Sequence, residues 1–301
     1  MNPTFDWNDL RPFLAVARTG KLTIAAKRLK VDHTTVSRRI QALEAALKAT
    51  LFERGPQGYA LTEIGLRLLG AAESMETMAM GVQNEIAGAD LDLTGAVRIG
   101  APDGFGSFFL APRICDLCRA HPGLEIDLVA MPRMFSLSKR EADIAIGLSR
   151  PTEGRLRSRK LTDYRLGLYA SPEYLERRGP ITSKDQLQGH RMVGYIEDLI
   201  FSPELNYVPQ LGKELRPQLR STNLIAQMQA TSTGAGICIL PCFMADDYPN
   251  LVPILRDEVK IMRTLWLIYH ADLQGFARIR ATVDFIVEKV TKARKLFLPD
   301  V

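Results

Sequence analysis

Between residues 7 and 61 apolar positions recur at helical spacing in short runs separated by tight breaks. Leu10, Phe13, Leu14 and Ala17 predict a first helix that Gly20 ends. Thr23 to Leu29 predicts a second, with Ala25, Ala26 and Leu29 as its small packing face. After a turn at Val31-Asp32, the residues Val36, Ile40, Leu43 and Leu47 step by 4, 3 and 4. They form one narrow stripe on a third helix, which the Asp32 carboxylate is placed to cap. His33, Thr34, Ser37, Arg38 and Gln41 form a second, polar stripe, rotated by roughly 120° from the first. Two helices, a short turn and a polar-faced second helix describe a helix-turn-helix. Leu51 to Leu61, with apolar ends around Gly55-Pro56-Gln57-Gly58, reads as a β-hairpin, a wing.

From Thr62 to about Gly88 the chain predicts one long helix. Ile64, Leu68, Ala71, Met75, Met78 and Val82 step by 4, 3, 4, 3 and 4, an a/d seam. Such a seam either lies on its own domain or pairs with a second copy; its narrowness and its place between two domains favour dimerisation. After Gly95 the grammar changes. Short β runs at 97–100, 124–128, 142–146, 166–169, 192–195, 236–240 and 265–269 alternate with helix-length segments, which predicts a parallel α/β sheet. A closing amphipathic helix carries Phe276, Ile279, Val283, Ile286 and Val290. The fold class expected is therefore α+β and multidomain.

The 301 residues suit two domains, and 46% apolar with 24% charged residues excludes global disorder. No apolar run reaches the ~18 residues of a membrane span, and Met1 to Trp7 lacks the opening of a signal peptide. A cytoplasmic protein with no membrane partner is expected. The net charge of +5 is uneven: residues 1–62 hold 10 Lys+Arg against 5 Asp+Glu, and residues 63–301 hold 29 of each. A basic module on a neutral body points to a polyanionic partner.

Catalytic chemistry finds little support. There is no Walker loop, no G-x-S-x-G and no H-E-x-x-H, and the four histidines are scattered at 33, 121, 190 and 270. Gly234-Ala235-Gly236 begins a dinucleotide motif, but Ile239 stands where its third glycine belongs. Cys115/Cys118 and Cys238/Cys242 read as small apolar residues rather than a redox pair or zinc site, since the compact knuckle spacing of a zinc ribbon is lacking. No catalytic residue, metal or cofactor is assigned. A solute carrier would fit the second half of the chain but not the basic first module.

The run Phe13-Leu14-Ala15-Val16-Ala17, Leu22-Thr23-Ile24-Ala25-Ala26-Lys27-Arg28-Leu29, Val36-Ser37-Arg38-Arg39-Ile40, Leu43-Glu44, Leu51-Phe52-Glu53-Arg54 and Leu61-Thr62-Glu63-Ile64-Gly65 resembles the LysR-type transcriptional regulators of bacteria. The resemblance implies a winged helix-turn-helix over 1–62, a linker and dimerisation helix over 63–90, and an effector-binding domain over 91–301. That last domain looks like a periplasmic binding protein, with lobe I at 91–162 and 269–301 and lobe II at 163–268. A homodimer or homotetramer, double-stranded promoter DNA, a small-molecule effector and RNA polymerase are the partners implied. The family usually has Ser-Gln at the start of the recognition helix; here Asp32-His33-Thr34-Thr35 stands there, which implies an altered sequence preference.

With the third helix in the major groove, Arg38 is the expected base reader, with a phosphate contact as the alternative. His33, Thr34, Thr35, Ser37 and Gln41 are expected base or phosphate contacts. Arg39, Lys27 and Arg28 are expected to meet phosphate or solvent, and Arg54, next to the wing, to grip the DNA backbone or minor groove. In the second half, ligands of such folds sit at the C-terminal ends of parallel strands. Asp103, Gly104, Phe105 and Ser107 follow the first strand, and Met131 and Arg133 the second. Tyr195, Ile196, Thr222 and Asn223 are the matching positions in lobe II. Many family members hold a carboxylate with Ser or Thr after the first strand; Asp103 would either repel one or cap the helix. A family member answering to redox state or a protein partner, without a small ligand, is the alternative function.

Overall fold

A computed structural model describes residues 5–55, 58–86, 93–133, 135, 137, 141–152, 154–212 and 214–299. They form two compact units that divide near residues 89–90.

The first unit opens with α1 (Leu10–Thr19), α2 (Leu22–Leu29) and α3 (His33–Leu47). Phe13, Val16, Ala25, Val36, Ile40 and Leu43 are buried together, so the predicted stripes meet in one core. Gly20 ends α1 at φ 66°, a conformation that costs glycine nothing, and its carbonyl then accepts the Tyr59 N–H at 2.8 Å. That contact seats the wing, β1 (Phe52–Gly55) paired antiparallel with β2 (Gly58–Leu61). The wing tip at Pro56-Gln57 lies outside the described residues. Asp32 holds the N-cap position of α3 in extended conformation, but its side chain makes no capping hydrogen bond. The expected carboxylate cap is therefore corrected to a backbone-only start, with the Val36 N–H meeting the Asp32 carbonyl at 3.2 Å.

The long helix α4 (Glu63–Ile86) belongs to this unit rather than standing apart. It turns Leu69 and Ala72 into the core of α1–α3. Of the predicted seam, Ile64 and Ala71 are exposed, while Leu68 and Met75 are partly buried against the unit's own core. The Met78 and Val82 side chains lie outside the described residues. Arg18, in the last turn of α1, ties α4 down: it pairs with Glu76 at 2.7 Å and Glu73 at 3.7 Å.

The second unit is built on one nine-stranded sheet, in the order β4-β3-β5-β11-β6-β9-β7-β8 with β10 beside β6. Chain order is β3 (Gly95–Ala101), α5 (Ala111–Ala120), β4 (Leu124–Ala130), β5 (Ile144–Gly147), β6 (Leu156–Ala170) and α6 (Pro172–Arg178). Then follow β7 (Met192–Gly194), β8 (Leu219–Arg220), α7 (Leu224–Ser232), β9 (Ile237–Pro241), α8 (Cys242–Ala245), β10 (Val252–Ile254), β11 (Ile261–His270), α9 (Ala277–Lys292) and α10 (Arg294–Phe297). Parallel pairing holds within each lobe, β3 with β4 and β5, and β7 with β8 and β9. Between the lobes run β6 and β11, paired antiparallel from Ile261↔Leu166 to His270↔Leu156. The expected all-parallel sheet is thus corrected at its centre, where the two crossings are themselves a ribbon. Val97, Ile99, Ile144 and Ile146 pack with Ile279, Val283, Ile286 and Val290 of α9 in lobe I, and Met228, Ile237 and Leu240 fill lobe II.

Candidate functional sites

Because α3 buries Val36, Ile40 and Leu43, its opposite face is left to solvent, and His33, Thr34, Arg38 and Gln41 are exposed there. Ser37 is half-buried beside them. Lys27 and Arg28 on α2 and Arg54 on the wing are exposed too, and the Arg54 guanidinium lies 5.5 Å from the Tyr59 ring centroid. Thr35 and Arg39 do not join this face. They line a small groove with Asn8, Arg11, Leu29 and Val31, and Arg39 is paired with the buried Asp9 at 3.1 Å. At about 100° per residue, the helix places both beside the stripe that begins at His33 and not within it.

The second unit holds a cavity of about 380 Å³ at the C-terminal ends of β3, β4 and β5. Pro102 follows β3, Arg133 follows β4, and Leu148, Ser149 and Arg150 follow β5; Phe201 and Ser202 come from lobe II. Phe135, Leu137, Leu148, Phe201 and Ile268 make its walls apolar. Arg133 pairs with Glu141 at 3.1 Å and lies 5.0 Å from the Phe135 ring. Arg150 faces the Trp266 ring at 5.8 Å and, among the described residues, has no carboxylate within ion-pairing distance. The arrangement suits an amphipathic ligand: a mostly apolar surround with a few convergent polar groups is what small-molecule sites share.

Of the ten expected cleft residues, Arg133 lines this cavity. Asp103 is buried at 4% exposure and accepts hydrogen bonds from the backbone N–H groups of Leu224 at 2.8 Å and Gly104 at 3.0 Å. Burial raises its carboxyl above the ordinary range by more than the Leu224 and Gly104 N–H groups lower it. Gly104 admits the close approach of lobe II, since a Cβ there would stand 2.5 Å from the Met244 Sδ. Phe105 is core, not cleft: it stacks on Phe109 at 5.1 Å and meets Phe297 at 6.2 Å. Ser107 sits within the π-helical turn Phe105–Leu110, half-buried, and Met131 is exposed. Tyr195 is buried against Tyr207, with ring centroids 6.1 Å apart, and lines a separate cavity of about 300 Å³ with Glu197, Asn206 and Arg216. Its hydroxyl is pushed well above the usual phenol range by burial and then by the Asp103 charge. Asn223 is spent as the N-cap of α7, accepting from Ala226 at 2.9 Å, while Ile196 and Thr222 are half-buried outside the larger cavity. Of these lobe II positions, Asn223 serves the free N–H groups at the start of α7.

Ser149 and Arg150 were missed, although the strand-end rule applied to β5 points to them. Phe201 and Ser202 carry no local signal; they reach the cavity only through the fold.

A family model for the bacterial regulatory helix-turn-helix protein, lysR family, matches residues 7–66, and one for the LysR substrate binding domain matches residues 92–291. The HTH-type transcriptional regulator CrgA of Neisseria meningitidis serogroup C is 26% identical over 291 residues, covering 94% of this chain and 96% of that one. The Mau operon transcriptional activator of Paracoccus denitrificans is 28% identical over 287 residues, with the same coverage of 94% and 96%. In fold, a full-length OxyR variant from Pseudomonas aeruginosa superposes with a TM-score of 0.73 at 20% identity, covering 95% of this chain and 97% of that one. Full-length LysG from Corynebacterium glutamicum, with bound effector Arg, gives 0.66 at 18% identity over 96% and 99%.

Proposed function

The chain belongs to the LysR family of DNA-binding transcriptional regulators, and on that premise we propose how it reads DNA and what its second unit senses. It is a regulator and not an enzyme, as its relatives are. The carrying observation is the division of α3 into a buried apolar stripe and an exposed polar one that starts at the helix N-terminus. In this reading α3 lies in the major groove. Arg38 forks onto guanine O6 and N7, His33, Thr34, Ser37 and Gln41 contact neighbouring edges or phosphates, and Arg54, Lys27 and Arg28 hold the backbone. The 380 Å³ cavity takes a small-molecule effector, and the effector Arg bound to LysG supports a ligand in this class of domain. The effector shifts populations because it binds one arrangement of the lobes more tightly than another. Two copies joined through the face of α4 that carries the exposed Ile64 and Ala71 would present two recognition helices to an inverted repeat.

Retardation of promoter fragments by wild type and Arg38→Ala tests the DNA half. The expected result is a loss of about 1–3 kcal/mol at the preferred site, with relaxed choice at one base per half-site. Equal weakening on all DNA reassigns Arg38 to phosphate. A thermal-shift screen of the full chain with aromatic and carboxylic metabolites tests the sensing half. Cys115, exposed with the Arg119 guanidinium 3.5 Å from its Sγ, is what a redox reading would use; repeating the retardation after oxidation separates the two.

A further inference from the structure

Asp103 is a buried carboxyl group outside both the DNA-facing stripe and the lining of the larger cavity. It stands in lobe I directly after Pro102, which lines the larger cavity. Its Oδ2 accepts from the first residue of α7, in lobe II, and its Oδ1 from its own neighbour Gly104. Among the described residues no lysine, arginine or histidine pairs with it, and the ionisable neighbour that feels it is the Tyr195 hydroxyl. Asn223 takes the Ala226 N–H of the same helix. The start of α7 is therefore satisfied by two side chains, one of them reaching across from the other lobe.

A carboxylate without a countercation persists in a buried place only where backbone donors converge on it. Donors that converge between two lobes are also what the acid group of a bound ligand would use. We propose that Asp103 is a resident stand-in for a ligand's carboxylate. It fills the donors at the start of α7, ties lobe I to lobe II, and turns acidic groups away from the Pro102 wall. An anionic ligand of the cavity then has Arg150 as its anchor, and a ligand with a second acid group at the Pro102 end is rejected. The specificity half rests on the cavity being the effector site; the occupancy half does not.

The test uses the full chain and compares thermal midpoints in sodium acetate and in sodium chloride at equal ionic strength. Asp103→Ala leaves the Leu224 N–H without its acceptor and lowers the midpoint by about 2–6 °C in chloride. Acetate, entering the vacated place, restores most of that loss, while wild type does not respond to acetate. Equal behaviour of Asp103→Ala in the two salts overturns the proposal. Should Asp103→Ala fail to melt cooperatively in chloride, recovery of a cooperative melt in acetate supports it and no recovery overturns it. Asp103→Asn keeps an acceptor and removes the charge, so benzoate affinity should rise roughly tenfold over wild type; no tightening removes the specificity half. Acetate rescue reads neither DNA nor effector, so its failure leaves the regulator reading standing, and a failed promoter retardation leaves the Asp103 assignment standing.

Discussion

The two units handle charge in opposite ways. The first spreads cations over a solvated face: Lys27, Arg28, Arg38 and Arg54 are exposed. The second keeps a carboxylate, Asp103, at 4% exposure and balances it with backbone dipoles. Exposed charge acts through the ion atmosphere and is screened within about 10 Å at 0.1 M salt. Buried charge acts through desolvation, which salt hardly touches. Added salt should therefore act on the charges of the first unit and hardly on Asp103.

Salt should part the two units most widely. DNA affinity should fall about 1,000-fold between 50 and 200 mM salt, while the melting of the second unit barely moves; anisotropy titrations and calorimetry on the same preparations check this. Next in size is the second unit's aromatic core. Phe297 packs on Phe109 at 4.8 Å and Phe243 at 5.0 Å, so Phe297→Ala should cost about 3–5 kcal/mol of its stability. DNA binding at a temperature where both units stay folded should be unchanged. Arg18→Ala removes the guanidinium that pairs with Glu76 at 2.7 Å and Glu73 at 3.7 Å in the first unit. A loss of about 1–3 kcal/mol is expected there, with weaker DNA binding if α4 then shifts on α1. Arg18→Lys should recover only part of it, since a lysine cannot span two carboxylates as a fork does.

The smallest expected effect is the pH dependence that Asp103 adds. Its folded pKa is raised, so the native state holds that proton more readily than the unfolded chain. The Asp103 contribution is therefore greatest below the unfolded carboxylate range, about pH 3.9, and is lost as pH rises through the folded value. Urea unfolding of wild type and Asp103→Asn over a pH series should show wild type losing ground to the variant toward neutrality. Parallel curves would place Asp103 among the exposed charges and collapse the contrast between the units.

The helix-turn-helix was legible because each of its parts is local. The steps from Val36 to Leu43 fix which way His33 and Arg38 face, with no help from distant residues. Arg39 escaped because its partner, Asp9, lies 30 residues away. The sheet was legible strand by strand but not in its middle, where the run 156–163 carries Arg157, Arg159, Lys160 and Asp163. Those charges hide the first half of β6, which pairs with β11. The cavity was least legible, because Pro102, Arg133, Arg150 and Phe201 meet only after the topology is set. Phe105 and Tyr195 were placed in the cleft by position along their strands, and aromatic packing drew both inward.

The crossings between the lobes bear on how the cleft can move. β6 and β11 are bound to each other along most of their length, with one register shift at Leu265/Trp266. Two loose threads would let the halves swing like covers of a book. A laced ribbon resists bending and yields mainly in torsion, so entry and exit of a guest should proceed by a shallow wringing motion with its weak point at that single dropped stitch.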